Sequence, residues 1–194
     1  MFNDRAIRRG SVFLAMTFMG VLAAACAERI SIHTATNPAA SFDKYQTFSL
    51  GSAEGPPAGY RMSSRSAEVQ RRLGPLIVAG LGQRGYAQAS GKTDFFVKFG
   101  SGRRTVAVHE AGDAMGGGWL PDDENGDFVE GSLVIDAFDG TTGERVWHGA
   151  SRAQIDPDHV DDALLQHSVA ELLSSFPTFR LTSSWPPVAV SAAR

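Results

Sequence analysis

The stretch from Asp94 to Phe99 alternates strictly, with Phe95, Val97 and Phe99 on one side and Asp94, Phe96 and Lys98 on the other. A period of two over β-forming residues specifies a strand with one buried face, and that face needs a second layer to cover it. Two helical patterns supply the layer: Val69, Leu73, Leu76, Ile77 and Leu81 keep to one side of a helix, as do Leu165, Val169, Leu172 and Phe176. Further strand patterns cover residues 29–34, 45–50, 104–109, 128–138 and 145–153. Gly100-Ser-Gly102, between two strand runs, predicts a hairpin there. Asp139-Gly-Thr-Thr-Gly143 predicts a second turn, because Asp-Gly and Thr-Gly tolerate positive φ. The sum is an α+β fold, a largely antiparallel mixed sheet with two helices packed on one face.

The helix ends carry their own signals. Pro75 interrupts the first pattern, so that helix either starts near Leu73 with Pro75 in its first turn or runs from about Ser64 and kinks. Gly85 is a suitable stop. For the second helix, Asp156 is the expected cap, with Pro157 in the first turn and Asp158, Asp161 and Asp162 near the positive end of the dipole. Pro177 ends it, and the tail from Thr178 holds no further periodic run.

Of the 194 residues, one long run is predominantly apolar, Val12–Ala25, preceded by Arg5, Arg8 and Arg9. Positive, apolar, then small is the layout of a secretory signal, and the run is short for a membrane span. The single cysteine, Cys26, follows Ala23-Ala24-Ala25 and resembles the lipidated cysteine of a bacterial lipobox, although Ala23 stands where Leu is usual. The competing reading is ordinary cleavage at an Ala-x-Ala site, with Cys26 incidental or removed. One cysteine excludes an internal disulfide and any Cys-based zinc or iron–sulfur site. The net charge is −3 and falls to −5 without residues 1–25, which hold three arginines and Asp4. Such a balance argues against nucleic acid as a partner and leaves membrane attachment to acyl chains. The expected organisation is a lipoprotein-type signal over 1–25, an anchor and short strand region over 26–40, one α+β domain over 41–177 and a loose tail over 178–194.

Catalytic patterns are thin. The five histidines (33, 109, 148, 159 and 167) form no His-Glu-x-x-His or His-x-x-x-His pair, so zinc hydrolysis has no support. His109, Glu110 and Asp113 are the candidate acid–base cluster, weighed against a solvated strand end. Asp122-Asp-Glu-Asn-Gly-Asp127 offers oxygens for calcium, but Asp-x-Asn-x-Asp from Asp123 lacks the Gly that an EF-hand loop needs. No Gly-x-Ser-x-Gly elbow occurs, and Gly116-Gly-Gly118 lacks the Lys-Ser/Thr of a phosphate loop. Residues 111–127 read as a long loop, and Trp147 as a core or sheet-face anchor. No catalytic, cofactor or metal residue is assigned.

The order Phe42-Asp-Lys-Tyr-Gln-Thr-Phe48, Gly85-Tyr86, Thr93-Asp-Phe-Phe-Val-Lys-Phe99, Leu133-Val-Ile-Asp-Ala-Phe-Asp139, Arg145-Val-Trp-His-Gly-Ala150 and Ser175-Phe-Pro177 resembles a bacterial envelope-lipoprotein family, domain of unknown function 4136. The resemblance runs from about Ile30 to Pro177 and implies an exported, lipid-anchored α+β domain with no known reaction. Two function classes follow. One is a non-catalytic envelope protein anchored through Cys26, outer-membrane and facing the periplasm, that binds an envelope protein or cell-wall component. The other is a periplasmic enzyme using His109, Glu110 and Asp113.

Overall fold

The computed structural model describes residues 30–107 and 127–179. In chain order these form β1 (Ser31–Thr36), a 3-10 turn (Phe42–Lys44), β2 (Thr47–Leu50), α1 (Ser66–Gln83), β3 (Ala87–Gln88), β4 (Phe95–Val106), β5 (Phe128–Asp139), β6 (Arg145–Gln154) and α2 (Asp162–Ser174). The strands make one open sheet in the order β1-β6-β5-β4-β2-β3. The contacts β1–β6, β6–β5 and β5–β4 are antiparallel, and β4–β2 and β2–β3 are parallel. The chain is thus α+β with a mixed sheet, and β1 pairs with β6 over its whole length as an edge strand of that sheet.

The alternation in β4 has the expected phase. Phe95, Val97 and Phe99 are buried and share one core with Phe48, Ile135, Ala137 and Trp147 from the neighbouring strands. Leu73, Ile77 and Leu81 of α1 close that core together with Val169, Leu172 and Leu173 of α2. Phe176, just past α2, sits where the two layers meet, with ring centroids 5.0 Å from Trp147, 5.4 Å from Phe42, 5.6 Å from Tyr86 and 5.8 Å from Phe95. Edge and offset contacts of this kind add to simple area burial. Trp147 is the anchor its sequence context suggested, 1% exposed, although its indole N–H has no hydrogen-bond partner among the described residues.

Three expectations are corrected. No hairpin lies at Gly100–Gly102, because β4 runs unbroken through both glycines. They are needed for close approach: a Cβ on Gly100 would lie 2.6 Å from the Gly55 carbonyl oxygen, and one on Gly102 would lie 2.7 Å from the Tyr60 Cβ. The segment after β2 crosses the sheet there and ends in an antiparallel Arg61–Arg103 bridge, with N–H···O bonds of 2.9 and 3.0 Å. The second helix starts later than Asp156. Asp161 is its cap, accepting from the backbone N–H groups of Ala163 and Leu164, while the Asp156 carboxylate closes a local turn onto the Asp158 N–H. Its buried stripe is rotated accordingly: Leu164 and Ser168 are buried and Leu165 only partly so. The Asp-Gly of the β5–β6 turn is not a positive-φ pair either; Gly143 has φ of 71°, whereas Gly140 is a position of close backbone approach. Of the alternatives at Pro75, the longer helix is the one formed, with Pro75 inside α1. Gly85 follows α1 with φ of 92°, the left-handed stop expected of it.

Candidate functional site

Cys26, His109, Glu110, Asp113 and Gly116–Gly118 lie outside the described residues, as does the acidic run as far as Gly126. The structure therefore does not bring His109, Glu110 and Asp113 into view as a cluster. Among the described residues no group of three or more His, Cys, Asp or Glu is placed to hold a metal ion. His167 is exposed on α2, and His33, His148 and His159 fall into the two regions described next.

The first region is the sheet face opposite the helices. Register puts Phe96 opposite Phe138, Lys98 opposite Asp136, and Asp136 opposite His148 on this face. Phe96, the apolar residue on the outer side of the alternation, stacks on Phe138 at 5.1 Å and 12°. Lys98 Nζ stands 5.5 Å from the Phe138 ring and 2.7 Å from Glu54. His148 Nδ1 lies 2.7 Å from Asp136, Arg145 is 3.4 Å from the same carboxylate, and His33 on β1 meets His148 edge-on at 6.3 Å. The His148–Asp136 pair is a hydrogen-bonded imidazole–carboxylate couple, with Val134 and Ala150 next to it along its two strands. Further along, the buried Glu130 carboxylate accepts from the Tyr60 hydroxyl and from Arg104 Nε at 2.9 Å, which ties the crossing segment to the sheet.

The second region is a cavity of about 190 Å³ between the sheet and the N-terminal ends of α1 and α2. Its wall is largely apolar, with Val69, Leu73, Leu133 and Leu164. Of the six serines along it, Ser101 on β4, Ser151 on β6 and Ser168 on α2 are exposed by 7%, 3% and 5%; Ser132 on β5 is also buried, but it neighbours Leu133 in the strand and so projects to the opposite face. Ser101 and Ser151 are both in register with Leu133, a core residue, and so project to the helix side of the sheet. Ser66 accepts a hydrogen bond from the Ser63 backbone at 2.8 Å, whereas the hydroxyls of Ser101, Ser151 and Ser168 have no partner among the described residues. The rim holds Arg65, Arg103, Asp156, His159 and Asp161. Sequence reasoning missed this site, because its serines sit on separate elements and make no local motif.

The largest electrostatic perturbations lie at the far end of the sheet. Asp139 is pushed down to about 2, first by the Tyr45 hydroxyl donating at 2.7 Å and then by the backbone N–H groups of Thr142 and Thr141. Burial, reinforced by that bond, holds Tyr45 well above the ordinary phenol range. Asp94 is lowered by the N–H groups of Gln46 and Thr47 and by the Thr47 hydroxyl. These groups are braces within the fold, since each faces a protein partner.

No curated protein matches the chain. Among solved structures, a PDZ domain protein from Parabacteroides distasonis shares the fold with a TM-score of 0.52 at 11% identity, over 79% of this chain and 37% of that one. A PelC dodecamer from Paraburkholderia phytofirmans aligns at a TM-score of 0.48 and 10% identity, over 78% of this chain and all of the other. A DUF4136 family protein from Bacteroides thetaiotaomicron aligns at 0.47 and 13%, over 75% and 94%. The family model described as Domain of unknown function (DUF4136) matches residues 32–178, from the start of β1 to just beyond the aromatic junction at Phe176, and the chain belongs to that family.

Proposed function

We propose that this chain is an exported lipoprotein of the bacterial envelope, held by a lipidated Cys26 in the outer membrane on its periplasmic side, and that its α+β domain is a non-catalytic binding module. The observation that carries the reading is the closeness of the leader to the fold. β1 enters the sheet at Ser31, five positions after Cys26. Five extended residues span at most roughly 17–18 Å, so an anchor at Cys26 tethers the β1 edge and its end of the sheet close to the bilayer. Among the described residues no helix is long and apolar enough to cross a membrane; in this reading the acyl chains on Cys26 do the anchoring. The β1 edge and the ionic outer face are then the surfaces offered to an envelope-protein or cell-wall partner. Feeding cells an alkyne fatty acid tests the anchor: the parent should be labelled and Cys26→Ser should not. Equal labelling of the two removes the anchor from the reading.

A further inference from the structure

We propose that the cavity between the helix N-termini and the sheet is a binding site for a single neutral, hydroxylated six-membered ring, a monosaccharide unit. This inference rests on the binding role proposed above and adds to it a second surface, on the helix side of the sheet and opposite the outer face. Three serines buried by more than nine-tenths line the cavity without a hydrogen-bond partner among the described residues. The residues are buried but their hydroxyls open onto the cavity, because among the described residues the Trp147 indole N–H is the one buried side-chain polar atom without a partner. Three such hydroxyls around one space, contributed by β4, β6 and α2, are a set of donors and acceptors awaiting a polar guest.

Size and character define the guest. A cavity of about 150 Å³ accommodates benzene, so about 190 Å³ with an open side admits one six-membered ring bearing substituents. Ser101 and Ser151 flank Leu133 on either side of β5. At about 4.8 Å per strand they stand roughly 10 Å apart, a span that one ring bridges with its own hydroxyls. Ser168 completes the set from the helix layer, and Val69 and Leu73 present apolar surface to the ring's C–H face. A hydroxyl both donates and accepts, so three of them match a polyol better than a purely accepting anion. The rim favours neither charge, since Arg65 and Arg103 are set against Asp156 and Asp161, with His159 beside them.

Saturation-transfer NMR on the full chain in a sugar-free detergent, against glucose, galactose, mannose, N-acetylglucosamine and N-acetylmuramic acid, tests the site. At least one of the neutral sugars should show transfer. Ser151→Ala and Ser168→Ala should each weaken it by about tenfold, the scale of one lost bond in a site built for a hydroxyl. Their melting temperatures should hold, because each hydroxyl removed has no partner in the fold and already opens onto the cavity. Lys98→Ala, on the opposite sheet face, should bind like the parent. Transfer to no sugar, equal binding by the alanine variants, binding of the acidic sugar alone, or binding of toluene in place of sugars would overturn the proposal. Cys26→Ser should bind as the parent does, so loss of the anchor reading leaves the site standing. A sugar that is bound and then chemically altered would support the site and overturn only the non-catalytic reading.

Discussion

Asp139 fastens two stretches of chain with one carboxylate, taking the Tyr45 hydroxyl on one oxygen and the N–H groups of Thr141 and Thr142 in its own turn on the other. Its folded-state value near 2 lies below the usual unfolded value of about 3.9, so its contribution is complete above pH 4 and is lost as the pH falls toward 2. Asp94 is shifted in the same direction. Urea midpoints measured from pH 6 down to pH 2 should therefore fall more steeply for the parent than for Asp139→Asn. At the alkaline limit the sign reverses: burial pushes Tyr86 up to about 12, so its contribution persists to pH 10 and fades above it. The neighbouring Gly140 shows how a residue can be legible in identity and misread in role. Asp-Gly suggests positive φ, but the glycine is required because a Cβ would lie 1.9 Å from the Thr93 carbonyl oxygen, and the Gly140 N–H donates to Asp94 at 2.8 Å. Gly140→Ala should cost about 1–3 kcal/mol, the range of overpacking strain, in equilibrium unfolding. The cavity serines were not legible at all. Ser101, Ser151 and Ser168 look like ordinary strand and helix residues until the sheet register and the packing of α2 bring them to one cavity.

At the scale of elements, period and phase were readable where they depend on neighbours in sequence. The buried side of β4 follows from alternation alone, and Phe96, the misfit on its outer side, finds Phe138 across the sheet. What alternation cannot see is a segment arriving from 40 residues away. Gly100 and Gly102 look like a turn because the passage of Gly55–Tyr60 over them is a tertiary fact. The start of α2 was likewise displaced, because several aspartates near Pro157 can each cap a helix and the sequence does not rank them. Two substitutions probe these elements. Phe99→Ala removes a buried ring and should cost about 3–5 kcal/mol, whereas Lys98→Ala loses only exposed contacts with Glu54 and Phe138 and should stay within about 0.5 kcal/mol. A more damaging Lys98→Ala would mean that the strand phase is wrong. Pro75 is exposed inside α1 and supplies no N–H to the helix. Pro75→Ala should stabilise the protein by about 1–3 kcal/mol in the same assay.

At the scale of the molecule, the two helices cover one face of the sheet, and the opposite face stays half-exposed with its ion pairs and stacked rings. The N-terminus of β1 lies at the cavity end of the sheet, since Ser31 pairs with Arg152 and Ser151 lines the cavity. An anchor at Cys26 would therefore hold that end, and the proposed sugar site with it, nearest the membrane, while the Asp139 turn points away. Residues around that turn should tolerate a bulky surface label without loss of membrane retention. The most direct measurement of this arrangement is the intact mass of the protein extracted from bacterial membranes. An anchored chain begins at Cys26 and carries a diacylglyceryl group, and that is the mass expected. An unmodified chain beginning at Ala27 or beyond, or one that retains Met1, would contradict it.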